Sequence, residues 1–165
     1  MKRIIIAALL GIMAVSCGIY SFTGTSIQPD VKTITIPYGE YKALRVNPSL
    51  SNLVTEALQD KFRKLTSLEQ VDVDGDLELV CEITGYDVKA TAITADEQAA
   101  QNRLTVTVKV DFANKKYPED DVAKTFSAYE DFDATQSLDA VEGTLCETIV
   151  DKLVEDIFNA TVAQW

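Results

Sequence analysis

A chain of 165 residues with 26 acidic against 15 basic side chains, a formal net charge of −11 and no histidine has several functions closed to it. So acidic a body argues against nucleic acid, whose phosphates reward clustered Lys and Arg, and against broad attraction to an anionic membrane. Without histidine the usual general base, the Ser-His-Asp and Cys-His arrangements and most zinc and iron sites are missing, so neither catalysis nor a metal or cofactor is expected.

The chain opens Met1-Lys2-Arg3 and continues through an apolar or small run from Ile4 to Val15, too short to span a bilayer, which takes about 20 apolar residues. A basic start, a short apolar segment and a small residue match a secretory signal peptide. Ala14-Val15-Ser16-Cys17 resembles a bacterial lipobox, in which the cysteine sulfur receives a diacylglyceryl group and the cysteine becomes the mature N-terminus; Ala14 stands where Leu is usual. The competing reading is ordinary cleavage near Ser16, with Cys17 left as a free thiol or half of a disulfide. On the favoured reading residues 1–16 are a signal peptide, Cys17 is the lipidation site, and a Gly/Ser/Thr-rich tether runs over residues 17–30 into one domain, residues 31–165. Cleavage removes two cations, Lys2 and Arg3, and no acid, leaving 149 residues at net charge −13, enough for one domain with a sizeable core.

Along that domain, KTITIP (32–37) is β-branched and ends at Pro37, a short strand. Asn47-Pro48-Ser49 supplies a cap and an N1 proline, and Leu50, Val54, Ala57 or Leu58, Phe62 and Leu65 recur at helical spacing, which predicts a helix over 48–66. After DVDGD (72–76), Leu77, Leu79, Cys81 and Ile83 alternate with polar residues. RLTVTVKVDF (103–112) has Leu104, Val106, Val108, Val110 and Phe112 on one face and Arg103, Thr105, Thr107, Lys109 and Asp111 on the other, the pattern of an antiparallel sheet covered on a single side. Residues 114–121 read as a hairpin loop and 124–132 as the returning strand. Ser137 opens a long helix to about residue 163, with Leu138, Val141, Leu145, Ile149, Leu153 and Ile157 as its stripe. The segment 89–102 is either a loop or a single helical turn. The order β-α-β-β-β-α predicts an α+β two-layer sandwich, two helices packed on one face of a roughly four-stranded mixed or antiparallel sheet.

Few residues suggest chemistry. Cys81 and Cys146 fall on apolar faces and read as buried thiols, with a disulfide between them as the alternative in an exported protein. Asp72, Asp74 and Asp76 have calcium-loop spacing at first sight, but an EF-hand needs Gly sixth and Glu twelfth, whereas Gly75 is fourth and Ile83 twelfth; a tight turn is the favoured reading. Glu119-Asp120-Asp121 and Glu130-Asp131-Asp133 read as solvated surface. Lys61, Arg63 and Lys64, Arg103 and Lys109, and Lys115 and Lys116 could hold a phosphorylated ligand, with ordinary surface charge the favoured alternative.

The segments SCGIYSFTG (16–24), VNPSLSNLVTEALQDKF (46–62), EITGYDV (82–88), AAQNRLTVTVKVDFANKK (99–116), FSAYEDFD (126–133) and LVEDIFNATVAQW (153–165), in this order and spacing, resemble the LptE family of lipopolysaccharide-assembly lipoproteins of Gram-negative bacteria. The resemblance implies two helices against a four-stranded sheet. It also implies a non-enzymatic outer-membrane lipoprotein that plugs and helps to fold the large β-barrel LptD, which inserts lipopolysaccharide into the outer leaflet. Some members bind lipopolysaccharide itself through basic residues, and this acidic body matches the plug role better. For that role the wet strand face offers Arg103, Thr105, Thr107 and Lys109, with Ser127 and Tyr129 on the returning strand, to the polar lumen of a barrel. The rival reading is a lipid-anchored periplasmic carrier of a small apolar or anionic ligand, held between helices and sheet. Gly18-Ile19-Tyr20-Ser21 follow Cys17 without an acidic cluster, which favours a body facing the periplasm or the barrel lumen.

Overall fold

The computed structural model describes residues 26–91 and 101–163. The signal peptide, Cys17, most of the tether and the centre of the 89–102 link lie outside the described residues. The elements in chain order are β1 (Thr33–Thr35), β2 (Glu40–Tyr41), α1 (Leu50–Leu65), β3 (Glu69–Gln70), β4 (Leu77–Thr91), β5 (Gln101–Asn114), a 3₁₀ turn (Pro118–Asp120), β6 (Val122–Asp133) and α2 (Leu138–Thr161). The expected α+β class holds, but the sheet has six strands, not four. Its order is β3-β1-β4-β5-β6, with β2 also on β4.

Two kinds of pairing build that sheet. Strands β4, β5 and β6 form a long antiparallel meander, whereas β1, β2 and β3 join in parallel pairs beside β4. Parallel pairing needs a crossover, and α1 supplies it between β1 and β3. The two additional strands, β2 and β3, are two residues long each, so they carry no alternation a sequence could display.

The covered face follows the predicted alternation. Leu104, Val106, Val108 and Val110 of β5 are fully buried, as are Leu79 and Ile83 of β4. A bulge between Ile83 and Gly85 shifts the register against β5, so the buried set continues at Tyr86 instead of Gly85, as a one-residue insertion requires. Leu50, Val54, Leu58 and Phe62 of α1 and Ile149, Leu153 and Ile157 of α2 close the core. Leu65, expected in the α1 stripe, is instead 44% exposed. Asn47 Oδ1 accepts from the Ser49 N–H and hydroxyl at the start of α1; at its end the Thr66 N–H and hydroxyl both bond the Phe62 carbonyl. Asn47 near the start of α1 touches Cys146 and Phe62 near its end meets Phe158 edge to face at 5.2 Å, so the helices run in the same direction.

Cys81 and Cys146 are free buried thiols, which replaces the disulfide alternative. Burial pushes the Cys81 thiol up to about 12 and raises that of Cys146, so both behave as small hydrophobes. The Asp72–Asp76 segment is a turn, though not between hairpin strands: it hooks around β1. Asp74 takes a positive φ of 58°, a conformation Asp tolerates. Gly75 lies so close to β1 that a Cβ would stand 2.7 Å from the Thr35 nitrogen. Asp76 accepts the Lys32 and Thr33 N–H groups at 2.7 and 3.2 Å and pairs with Lys116, which holds its carboxyl down at about 2.

Candidate functional site

The face of the meander opposite the helices is uncovered by any described element, and the strand register decides what stands together on it. Across β5 and β6, Arg103 faces Asp131, Thr105 faces Tyr129, Thr107 faces Ser127 and Lys109 faces Thr125. The six residues expected on this wet face therefore do share it. Strand β4 extends the face, with Glu82 opposite Lys109, Asp87 opposite Thr105 and Lys89 opposite Arg103.

Several of these side chains are held by their neighbours. The Arg103 guanidinium donates from Nε and a terminal nitrogen to the two Asp131 oxygens at 2.7 and 2.9 Å and lies 3.7 Å from the centroid of the Tyr129 ring. A forked ion pair and a stacked ring fix the same group twice; Arg103 in turn depresses the Asp131 carboxyl below its ordinary range. Thr107 and Ser127 hydroxyls are 3.2 Å apart, Lys109 donates to Asp111 at 2.8 Å, and Lys42, just after β2, bridges to Glu82 and Glu40. The result is a surface of donors, acceptors and paired charges, several of them fixed by their neighbours.

Sequence reasoning placed Asp111 on this face but missed its other acids. Asp131 reads as surface in the sequence, and only the β5–β6 register makes it the partner of Arg103. Asp87 and Lys89 were hidden by the bulge, which moves them onto the open face out of phase with Glu82. The remaining basic groups do not converge on a ligand: Lys61 pairs with Glu155, Arg63 and Lys64 with Asp60, Lys115 with Asp74 and Lys116 with Asp76. The acidic sets are likewise engaged. Asp120 accepts from Gln28 and Asp121 from the Asn114 N–H, Glu130 pairs with Lys152, and Asp133 accepts from Thr135. Among the described residues no cluster of three or more metal-ligating side chains occurs.

The interior leaves little room for a ligand. Where the end of α2 meets the sheet, a cavity lined by Leu77, Phe112, Thr161 and Val162 holds about 30 Å³, the scale of one water. Hollows of about 270, 480 and 570 Å³ are open grooves at the surface. No described helix is long and apolar enough to cross a membrane.

The profile of the family described as lipopolysaccharide-assembly, LptE, matches residues 31–161, most of the chain. No curated protein matches it by sequence. Among solved structures, a protein from Helicobacter pylori described as a homolog of neuraminyllactose-binding hemagglutinin aligns with a TM-score of 0.54 at 9% identity, over 84% of this chain and 87% of the other. A hypothetical protein from Chlamydia trachomatis aligns at 0.53 and 10% identity, over 79% and 98%. At such identities the likeness is one of fold alone.

Proposed function

The chain belongs to the LptE family of lipopolysaccharide-assembly proteins, and from that premise we propose that it is an outer-membrane lipoprotein, anchored through Cys17, whose open sheet face docks in the lumen of the barrel LptD. There it helps the barrel to assemble and plugs it, supporting lipopolysaccharide insertion into the outer leaflet. Residues 1–16 serve as the signal peptide, 17–30 as the tether and 31–165 as the docking domain. The work is architectural, without a reaction.

The observation that carries this reading is the set of polar groups that share the open face, most of them held by neighbours: Arg103, Thr105, Thr107 and Lys109 of β5 beside Ser127 and Tyr129 of β6. Barrel interiors are polar, and a wall of hydrogen-bonding side chains is matched by a surface whose own groups are already oriented. Arg103 and Lys109 each have an acid partner, which favours docking over capture of an anionic glycolipid. The carrier alternative draws less support, because the space it would use between helices and sheet is filled by fully buried side chains.

Replacing Arg103→Glu together with Lys109→Glu tests the assignment. Each substitution sets an acid against a carboxylate of the same face, Asp131 or Asp111. The lipidated double variant is expected to keep its circular dichroism spectrum and to lose the barrel on purification. Barrel recovery at the wild-type level would remove this face from the interaction.

A further inference from the structure

A second surface lies on the opposite side of the sheet from β6. Three of the six large hydrophobic side chains exposed among the described residues, Tyr38, Leu44 and Val46, fall within nine residues around β2, with Leu44 at 103% and Val46 at 73% exposure. Tyr38 and Val46 flank an open groove of about 480 Å³ that also takes in Tyr41 and Pro48. A grouped apolar exposure of this kind marks an interaction site, whereas scattered single residues do not.

The loop that presents them is held rigidly. Its backbone is pinned by the Lys42 N–H on the Ile83 carbonyl at 2.9 Å and by the Gly39 N–H on Thr55 Oγ1 at 3.1 Å. The Tyr41 hydroxyl donates to the Arg45 carbonyl at 2.5 Å and accepts the Asn47 N–H at 3.1 Å. Ala43 and Asn47, on either side of the tip, are buried. Leu44, Arg45 and Val46 thus point outward because the residues around them are fastened inward. Lys42 is neutralised by Glu40 and Glu82, but Arg45 has no carboxylate partner among the described residues.

We infer that this loop docks on the lipid surface of the membrane, Leu44 and Val46 entering the headgroup boundary and Arg45 pairing with an anionic headgroup. Aliphatic side chains beside a cation and tyrosines form the usual interfacial anchor. Charge favours the assignment: the mature body at net charge −13 is repelled by an anionic surface, and here it offers an unpaired cation between two apolar side chains. Reach favours it as well. The inference rests on the proposed anchor at Cys17, and the nine residues from there to Ser26 extend at most about 30 Å. Ser26 bonds Val162 while the loop's base, Asn47, touches Cys146, an offset along α2 of about 24 Å. The tether therefore lets the domain lie with this loop against the bilayer that holds its lipid. The loop borders β4 on the side away from β6, leaving the proposed barrel-facing groups free.

The test uses the lipidated mature chain carrying Trp165→Phe and a single new tryptophan, reconstituted without barrel in phosphatidylethanolamine/phosphatidylglycerol vesicles whose acyl chains are brominated. Leu44→Trp and Val46→Trp are expected to emit at shorter wavelength and to lose most of their fluorescence to bromine. Val73→Trp, equally exposed on the turn that hooks β1, should keep its emission, and Arg45→Glu should relieve the quenching at position 44. Vesicle flotation and the mass of the N-terminal peptide report the anchor separately. A chain that floats through Cys17 yet shows no quenching at 44 and 46 overturns the loop's role alone, whatever the fate of the barrel reading. Shielding at 44 that needs added barrel and is insensitive to bromine would make the loop a protein contact and equally overturn the inference.

Discussion

The two faces of the β4–β6 meander are made by the same three strands, yet they are held by different physics. On the covered side, aliphatic side chains with almost no exposure pack against two helices, and each buried group is worth about 1.5–3 kcal/mol. On the open side, cross-strand pairs such as Thr107–Ser127 and Arg103–Asp131 are exposed and screened by water, and each contributes far less. Stability is thus concentrated on one face, which leaves the other able to carry recognition at small cost to the fold.

The sharpest way to break that contrast is a cavity on the covered side. Leu153→Ala, at a fully buried α2 position, is expected to cost about 2–5 kcal/mol in urea denaturation, while the folded fraction binds the proposed barrel as before. Next in size is Gly75→Ala. Its Cβ would meet the Thr35 nitrogen at 2.7 Å, backbone that cannot swing aside, so a loss of about 1–3 kcal/mol is expected. The opposite sign is expected at Gly143, inside α2, where an added Cβ meets nothing within 4 Å: Gly143→Ala should stabilise by about 0.5–1 kcal/mol. Smallest is Arg103→Ala, whose exposed, solvent-screened pair with Asp131 is expected to leave the urea midpoint nearly unchanged. If it cost as much as Leu153→Ala, the division between the faces would be wrong.

Acid sharpens the same comparison at the β1 hook. The Asp76 carboxyl is held at about 2, below its ordinary 3.8, first by the Lys32 N–H and then by Lys116. A depressed carboxyl stabilises the fold above its unfolded value, and that contribution is lost as pH falls through the folded one. Between about pH 4 and pH 2 the denaturation midpoint should fall more steeply for the wild type than for Asp76→Asn, which lacks the titrating group. Parallel curves would show that Asp76 does not anchor β1.

How much of this was legible depended on period and length. The α2 stripe and the alternation of β5 announce themselves, because each repeats a spacing over several turns or pleats. Glu40–Tyr41 and Glu69–Gln70 do not, since two residues in a parallel pair have no period and exist only because β4 and β1 lie beside them. The candidate site was half visible. Arg103, Thr105, Thr107 and Lys109 follow from alternation within one strand, and Ser127 and Tyr129 from that of the next. The pairing of Arg103 with Asp131, and the arrival of Asp87 and Lys89 on the same face, depend on register and on the bulge at Ile83/Gly85. Those are long-range facts that no local window contains. The fastening of Leu44 and Val46 outward likewise depends on Tyr41 and Asn47 meeting across the loop.

The central claim is that the open face belongs in a barrel. The most direct measurement is gentle detergent extraction of the tagged, lipidated protein from its native membranes, with mass-spectrometric identification of whatever remains bound. One large β-barrel in near-stoichiometric amount is the predicted result; recovery of the protein alone, or with only a small lipid or ligand, would contradict it.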